Sequence, residues 1–549
     1  MIRKTIAVLG VTLICMTTVA LTADTETTEE QIAELQEEVK DLEKRMMKTE
    51  RKAALDRINF TGDFRFEMNS ISSSYDDYFD GMQLQRMLVD TLFYFGANDG
   101  MPPSSPEDVQ NFIAQNYASY LYYLDNVVTF DWLKETMAGF PPEMQQGLME
   151  QLLPYTYTEG YDYKNDILYT NRLRLQMNAK VSKNVEFAGR LSMYKVWGDS
   201  TGVQTFNGFP TSINIDGTTT SVPNSDILRV ERAYFTWSGD KFYLSIGRRP
   251  STGGVPLNFR NDEPRGGSPL GTLVNFQFDG ATFGWKISDT STFRVCYGVG
   301  FESGFGNAQE LQQPADRLKD ASFLGLNWDI LNTEDVFIQT TIMRAFDVTD
   351  GFGGLVVLPV DPVTGQDVPA PVVLRYAPSA TLGDISWASL VGVIHPGAFD
   401  VFASLSYMES NPNNVTSPFG GLFSDPFDTP EKQDGYSYYL GARWNLPNNK
   451  TKIGLEYNYG SEYWFNMAVA EDSFYAPKTS VRGDVWEIYL THRITKGFIL
   501  KLDYMKYDFS HSGSGWHMGA PKDLDSTPIL GFPSPTDANR FLLGLQARF

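Results

Sequence analysis

The sequence predicts an all-β fold, a transmembrane antiparallel up-and-down β-barrel of about sixteen strands. Three observations support this. Sixteen segments alternate apolar and polar residues, which is typical of strands with one apolar and one polar face. Short and long connections alternate between these segments, so that all short turns fall at one rim. Beyond residue 23 there is no apolar run of about 18 residues, so a membrane-spanning form requires a closed barrel.

The C-terminal segment shows the pattern most clearly, and it ends on an aromatic residue. Phe541, Leu545 and Phe549 alternate with Arg540 and Arg548. The alternative is an edge strand of a soluble β protein, which the recurrence of the pattern along the chain disfavours. The other predicted strands are 58–69, 168–181, 185–197, 228–237, 242–249, 278–287, 293–301, 322–330, 336–346, 382–394, 399–408, 436–446, 452–459, 485–493 and 498–507.

Three strands fit the alternation less well. In 228–237, Arg229 and Glu231 share the parity of Phe235 and Trp237, which predicts a β-bulge. Strands 336–346 and 382–394 are apolar on both parities.

Aromatic residues recur beside the short turns and predict a girdle at one membrane interface. Those just before a short turn are Trp237, Trp285, Trp328 and Trp444, and those just after one are Phe242, Phe293, Phe399 and Phe498.

Two N-terminal segments precede the predicted barrel, which spans 58–549. Residues 1–23 have a basic start followed by an apolar run, which predicts a secretory signal peptide; the alternative is a single membrane anchor. Residues 24–57 carry apolar residues at spacings of three and four between charged residues, which predicts a coiled-coil stalk. A solvated charged helix is the alternative for this segment.

The longest interruption of the strand pattern, 70–164, is predicted to be a helical insertion in the first external loop. The predicted helical stretches are 82–95, 106–123, 130–137 and 142–153, with breaks at Pro102-Pro103 and Pro141-Pro142. A structureless loop of this length is improbable.

Charge and cysteine content exclude some classes of function. The net charge of −22 disfavours nucleic-acid binding. If the signal peptide is removed, Cys296 is the only cysteine left, so no disulfide can form within the chain.

With this organisation the chain resembles the sixteen-stranded bacterial porins, above all those with a coiled coil before the barrel. These include anion-selective porins of the phosphate type and porin-like families of unknown substrate. The resemblance covers 24–549 as architecture and carries no specific motif. It implies a passive diffusion channel for small hydrophilic solutes or ions, without a cofactor. It also implies a homotrimer in contact with lipid and lipopolysaccharide of the Gram-negative outer membrane, with its stalk in the periplasm. Fold alone does not name the solute.

The polar parity of the strands predicts a net basic lumen, which would favour anions. The alternative is that these charges pair across strands and brace the wall. The basic members are Arg65, Arg172, Arg174, Lys180, Arg190, Arg232, Arg249, Lys286, Arg294, Arg443, Lys452, Arg493, Lys501, Arg540 and Arg548. The acidic members are Asp63, Glu67, Glu186, Asp329, Asp400, Glu456, Glu487 and Asp503.

The third long loop, 250–275, is the sharpest local feature. In the porins that the chain resembles, this loop folds into the barrel and narrows it, whereas an exposed surface loop is the alternative. Arginines that face carboxylates create a transverse field at such a constriction. The predicted pore-lining residues are Arg172, Arg174, Arg190, Arg248, Arg249, Arg260, Asp262, Glu263, Arg265 and Arg294. They predict a weak preference for anions.

Two other classes of function remain open. His511 and His517 share an external loop with Ser510, Ser512 and Ser514, which is the start of a hydrolase site but lacks a fixed third group. We find no catalytic, metal-binding or cofactor motif. A structural anchor that tethers the membrane through the coiled coil is the remaining alternative.

Overall fold

The computed structural model of the chain describes the barrel strands and most of their connections. The predicted signal peptide and coiled coil lie outside the described residues, apart from two helical positions. The described residues are 39–40, 58–198, 225–301, 305–306, 310–311, 318–350, 354–360, 367–376, 379–468, 476–515 and 519–549.

Sixteen strands form a closed barrel in which each strand pairs antiparallel with the next in the chain, and the first pairs with the last. All sixteen predicted strands are present, with ends that differ by a few residues. They are β1 Ile58–Tyr75, β2 Tyr161–Lys180, β3 Val185–Val196, β4 Ser225–Ser238, β5 Phe242–Arg249, β6 Phe278–Ser288, β7 Ser291–Phe301, β8 Ala321–Asn332, β9 Val336–Thr349, β10 Thr381–Ile394, β11 Phe399–Pro412, β12 Asp434–Asn445, β13 Thr451–Gly460, β14 Gly483–Thr495, β15 Phe498–Phe509 and β16 Pro535–Arg548.

The outer face of the barrel carries an apolar belt with aromatic residues at its edge. The four tryptophans predicted beside the short turns each expose 39 to 45% of their surface. Three of them lie directly opposite predicted phenylalanines across the strand pairs, which supports the girdle. The directly opposed pairs are Phe242 with Trp285, Phe293 with Trp328, and Phe399 with Trp444. An apolar outer face between aromatic residues is the pattern of a transmembrane barrel.

The bulge predicted in β4 is present. Arg190 of β3 lies opposite Arg232, whereas its neighbour Leu191 lies opposite Val230, so Glu231 is the extra residue. Glu231 and Arg232 are consequently both buried. Without the bulge, one of these two charged side chains would face lipid.

β9 and β10 are apolar on both parities because their inner face is also covered by protein. Phe337 of β9 and Val391 and Val393 of β10 belong to one buried cluster with Val255 and Leu270 of the third long loop. A strand buried on both faces loses its polar alternation.

The helical insertion is also present, with five helices after β1. They are α1 Gly81–Ala97, α2 Pro106–Gln115, α3 Tyr117–Asn126, α4 Phe130–Ala138 and α5 Pro142–Leu152. Asp80, Ser105 and Thr129 cap the starts of α1, α2 and α4 by accepting backbone N–H bonds. None of the helices in the described part of the chain is long and apolar enough to cross a membrane.

The insertion has its own core and is fastened to other long loops. Leu88 and Leu152 lie at the centre of this core. A three-stranded sheet joins its two ends, 78–80 and 157–158, to residues 529–531 before β16.

A hairpin in the loop between β9 and β10 was not predicted. It pairs Gly354–Val360 with Asp367–Tyr376.

Candidate functional site

The third long loop runs from the end of β5 to the start of β6, and we call residues 250–277 the crossing loop. Its two arms lie against each other near the root. The Gly266 amide donates to the Gly253 carbonyl at 2.7 Å. A Cβ on Gly254 would lie 2.1 Å from the Pro269 carbonyl oxygen, and one on Gly267 would lie 2.8 Å from that of Thr252. Gly254 and Gly267 are therefore required for the close approach of the arms, and each forms a pair with the glycine beside it, Gly253 and Gly266.

The tip of the crossing loop reaches the opposite wall of the barrel. The Asp262 carboxylate lies 2.5 Å from Lys452 Nζ of β13, 3.2 Å from Arg493 of β14 and 3.5 Å from Arg443 of β12. In a closed barrel of sixteen strands, β13 and β14 lie diametrically opposite β5 and β6. The loop therefore spans the whole lumen.

The backbone and charge state of Asp262 suit this role. Its φ of 49° is left-handed and ends the short 3₁₀ turn Phe259–Asn261. Burial raises the pKa of Asp262, but the hydrogen bond and charge of Lys452 and the charge of Arg443 outweigh burial. The net pKa lies below its ordinary value, so the group is ionised at neutral pH.

Two arginines also fix the tip of the crossing loop. Arg260 is buried and lies 2.9 Å from Glu487 Oε1 of β14 and 3.6 Å from Asp503 Oδ2 of β15. The Arg548 guanidinium at the end of β16 donates to the carbonyl oxygens of Asn261 and Asp262, each at 3.1 Å.

Arg265 lies on the arm of the crossing loop that returns to β6, and it binds the barrel wall at β8. It donates to both carboxylate oxygens of Asp329 in β8, at 3.0 and 3.1 Å. Arg294 of β7 donates to the same carboxylate at 2.8 Å. Asp329 therefore joins the loop to two wall strands at once.

The half of the lumen beside β9–β12 is filled by side chains. Val255, Leu257 and Leu270 pack there against Phe402 of β11 and Tyr439 of β12. The loop between β13 and β14 also folds inwards. Its Asn466 donates to the Thr272 carbonyl at 2.7 Å, and its Lys478 is paired with Glu456 and Glu487.

The other half, beside β16 and β1–β4, holds a cavity of about 540 Å³ between the crossing loop and the wall. Its charged lining is mostly basic. The basic residues are Arg65, Arg172, Arg174, Arg190, Arg232, Arg260, Arg265, Lys501, Arg540 and Arg548, and the acidic ones are Asp63, Glu67 and Glu263. This basic cavity is the candidate site.

Two carboxylates orient the arginines of the cavity: Asp63 lies at its edge and Glu231 lies behind its lining. Arg172 donates to Asp63 at 2.9 Å. Glu231, the bulge residue of β4, accepts from Arg174 at 3.0 Å and from Arg190 at 3.2 Å. Two arginines on neighbouring strands are thereby held side by side. Strict alternation does not place Glu231 among the lumen-facing acids, whereas the predicted bulge in β4 indicates that it turns inwards.

The predicted pore-lining residues fall into three groups, and the third is Arg248 alone. Six lie together at the cavity: Arg172, Arg174, Arg190, Arg260, Glu263 and Arg265. The second group lies outside the cavity lining and consists of Asp262, Arg249 and Arg294. Asp262 holds the tip of the crossing loop, and Arg249 donates to Ser245 at 3.0 Å and to Thr282. Arg294 binds Asp329, the same carboxylate that binds Arg265.

Arg248 corrects the prediction. It pairs with Asp279 at 3.3 Å and lies opposite Ala233, on the outward parity of its strand. Arg248 and Arg249 are adjacent residues of one strand, so their side chains point to opposite faces and only one can reach the lumen.

The serines of the possible hydrolase loop have structural roles. The Ser512 hydroxyl accepts from the Lys522 amide at 2.9 Å, and the Ser514 hydroxyl accepts from the Arg482 amide at 2.9 Å. His517 lies outside the described residues. Among the residues that the structure describes, no group of three or more His, Cys, Asp or Glu could hold a metal ion.

These features define a transmembrane sixteen-stranded β-barrel whose lumen is divided by an inserted loop. A family model described as "Protein of unknown function (DUF3373)" matches residues 162–540, and the chain belongs to this family. No curated protein matches the chain.

Three solved structures illustrate what the chain is similar to. The trimer form of the outer membrane protein OmpT of Vibrio cholerae is 11% identical, covering 90% of this chain and 99% of that one, with a TM-score of 0.39. The outer membrane channel DcaP of Acinetobacter baumannii is 12% identical, covering 90% and 97%, with a TM-score of 0.38. A mutant of the Rh. blastica porin is 10% identical, covering 90% and 100%, with a TM-score of 0.35.

Proposed function

We propose that the protein is an outer-membrane channel for passive diffusion of small hydrophilic solutes, with a weak preference for anions. The observation that carries this proposal is the crossing loop, which leaves a polar, basic cavity on one side of the lumen. The half beside β9–β12 is filled with apolar side chains, so solutes would pass along β16 and β1–β4.

The preference is weak because most cavity cations are paired. The ten basic side chains of the lining outnumber the three acidic ones by seven. Four carboxylates that do not line the cavity also pair with its cations, and they are Glu231, Asp329, Glu487 and Asp503. When these four are counted, without Arg294 and Lys478, which share Asp329 and Glu487, the excess of positive charge falls to three.

The loop carboxylates remain charged within this field. Burial raises the pKa of Glu263, but the charges of Arg172 and Arg174 outweigh burial and hold its pKa below the ordinary value. Glu263 Oε1 lies 3.8 Å from Arg172 and 3.7 Å from Arg548, so its charge partly offsets these two arginines at the edge of the cavity.

The total charge of −22 does not decide selectivity. At physiological salt the Debye length is about 8 Å, so acidic groups at the mouth are screened before they reach the cavity. The cavity cations would act on a solute within a few ångströms, in a site of lower dielectric. We therefore expect the cavity cations to influence ion selectivity slightly more than the acidic groups at the mouth do.

The proposal includes location and assembly. Residues 1–23 would direct export and be removed, and 24–57 would form a periplasmic coiled-coil stalk. The exposed apolar belt would contact outer-membrane lipid and lipopolysaccharide. We propose a homotrimer, because a short coiled coil gains stability when barrels hold its chains at high local concentration.

Reversal potentials in a salt gradient across planar bilayers test the selectivity. Arg190→Gln removes one cavity charge and leaves Glu231 paired with Arg174, whereas Arg248→Gln removes a charge from the outer face. We expect weak anion preference in the unmodified protein, a shift towards cations in Arg190→Gln and no shift in Arg248→Gln. Cation preference that Arg190→Gln leaves unchanged would show that this cavity does not line the path.

A further inference from the structure

A second cavity lies at the outer end of the barrel, where the helical insertion meets two other long loops. It has a volume of about 260 Å³. Its walls come from α1 and α5, from residues 418–428 after β11, and from residues 511–514, 519–522 and 529–534 between β15 and β16. We call it the seam cavity.

The seam cavity is apolar, unlike the basic cavity in the lumen. Phe419, Phe427 and Phe532 line it together with Met82 and Leu530. The rings of Phe419 and Phe532 are stacked, with centroids 6.3 Å apart and an angle of 22° between their planes. The stacked pair holds its two rings in fixed positions, and aromatic and methionine side chains together offer apolar contact to a small ring.

The lysine that lines the seam cavity is neutralised within the protein, and Asp428 leaves a further carboxylate in the lining. Lys522 is paired with Asp425, and its backbone amide donates to Ser512. His511 and Asp428 add hydrogen-bonding groups to the lining. This set can bind a polar substituent, whereas it offers no excess cation to an anion.

The walls are held in place before any ligand arrives. The Gln85 amide of α1 donates to the Pro418 carbonyl at 2.7 Å, and Lys134 of α4 donates to the Thr416 hydroxyl at 3.1 Å. Residues 78–80 pair with 529–531. Elsewhere the insertion is tightly packed around Leu88 and Leu152, so the gap is confined to the seam. Preformed apolar pockets with a few polar groups are the usual form of small-molecule sites.

The seam cavity is separate from the lumen passage. Among the residues that the structure describes, the two cavities share no lining residue. The buried cluster of Ile71, Tyr507 and Ala538 on β1, β15 and β16 extends to the wall of the seam cavity at Phe509 and Ile529. Binding at the seam is therefore independent of the proposed channel activity.

We propose that the seam cavity binds a small neutral solute that carries one aromatic ring and one hydrogen-bonding group. A cavity of about 150 Å³ holds benzene, so a volume of about 260 Å³ accommodates a ring with a substituent. The ligand class differs from that of the basic cavity because the two linings differ in polarity and charge.

Binding of 4-fluorophenol tests the proposal, measured by fluorine NMR on the full chain folded in detergent. Ala520→Phe places a ring in the cavity, since Ala520 lines it. Ala118→Phe is the matched control, because Ala118 is exposed on α3. We expect saturable binding that Ala520→Phe weakens about tenfold or more and that Ala118→Phe leaves unchanged. Equal affinity in all three proteins, or only non-saturating uptake by detergent, would overturn the proposal.

Two further measurements keep the test decisive. If Ala520→Phe does not fold, as judged by its heat-modifiable migration, Phe532→Ala replaces it. Loss of one aromatic wall should then weaken binding, and unchanged affinity would overturn the site. 4-Fluorobenzoate, which carries a negative charge on the same ring, should bind more weakly than 4-fluorophenol. Tighter binding of the benzoate would overturn the assignment to neutral solutes.

Discussion

Replacing Asp262 with asparagine should loosen the tip of the crossing loop while the barrel stays folded. The Asp262 side chain is 14% exposed and faces three cations on three different strands. Removing one partner of a buried ion pair costs about 3–5 kcal/mol. Asparagine keeps the shape and one acceptor, so we take about 3 kcal/mol. Since about 1.4 kcal/mol is a factor of ten, the population with a detached tip should rise roughly 150-fold.

The expected signal is electrical. Arg260 and Arg265 still hold the loop at other points, so the tip moves without withdrawal of the whole loop. Single channels of Asp262→Asn in planar bilayers should show larger open-channel noise and higher mean conductance. Asp279→Asn is the control, because this carboxylate is 70% exposed and pairs with the outward Arg248. Conductance and noise equal to those of the unmodified protein would refute the claim that this carboxylate fixes the loop.

Three other predictions follow from the same structure. Leu270 is fully buried between the crossing loop and the wall, so Leu270→Ala should lower the free energy of unfolding by about 2–5 kcal/mol; a change below about 0.5 kcal/mol in urea titrations would contradict this packing. The pKa values of Asp262 and Glu263 are lowered, because neighbouring cations outweigh the effect of burial. Their stabilisation is therefore complete above the ordinary carboxyl range and is lost as pH falls through the lowered values. Channel noise should stay constant down to the ordinary range, near pH 4, and rise as the pH falls further; a rise that begins well above that range would contradict the prediction. Light scattering in detergent should give three chains per particle, and a monomer with 24–57 intact would contradict the proposed assembly.

The strands could be predicted from sequence because lipid imposes a local rule on each of them. Every second residue of a membrane-spanning strand must be apolar, and the pattern needs no knowledge of distant residues. The same rule explains the three strands that fit the alternation least well. β9 and β10 lack polar alternation because the crossing loop covers their inner face, and β4 breaks parity at Glu231 because a bulge turns two charges inwards.

The site was only partly predictable because its contacts are distant in the chain. The sequence of the crossing loop shows its glycines and its charged residues, but it does not show which wall residues those charges pair with. Asp262 and Arg443 are 181 residues apart, and Arg260 and Glu487 are brought together only by closure of the barrel. Lumen arginines such as Arg190 followed from parity alone, whereas Arg248 was misplaced because the pattern at a loop root does not fix which of two adjacent residues points inwards.

The central claim is that this barrel conducts solutes, and planar bilayer recording tests it most directly. Purified protein whose folding is verified by heat-modifiable migration is added to one side of the membrane under an applied voltage. We predict stepwise increases of current, each step corresponding to one inserted particle. Folded protein that inserts into the bilayer but produces no steps over a wide range of voltages would contradict the account.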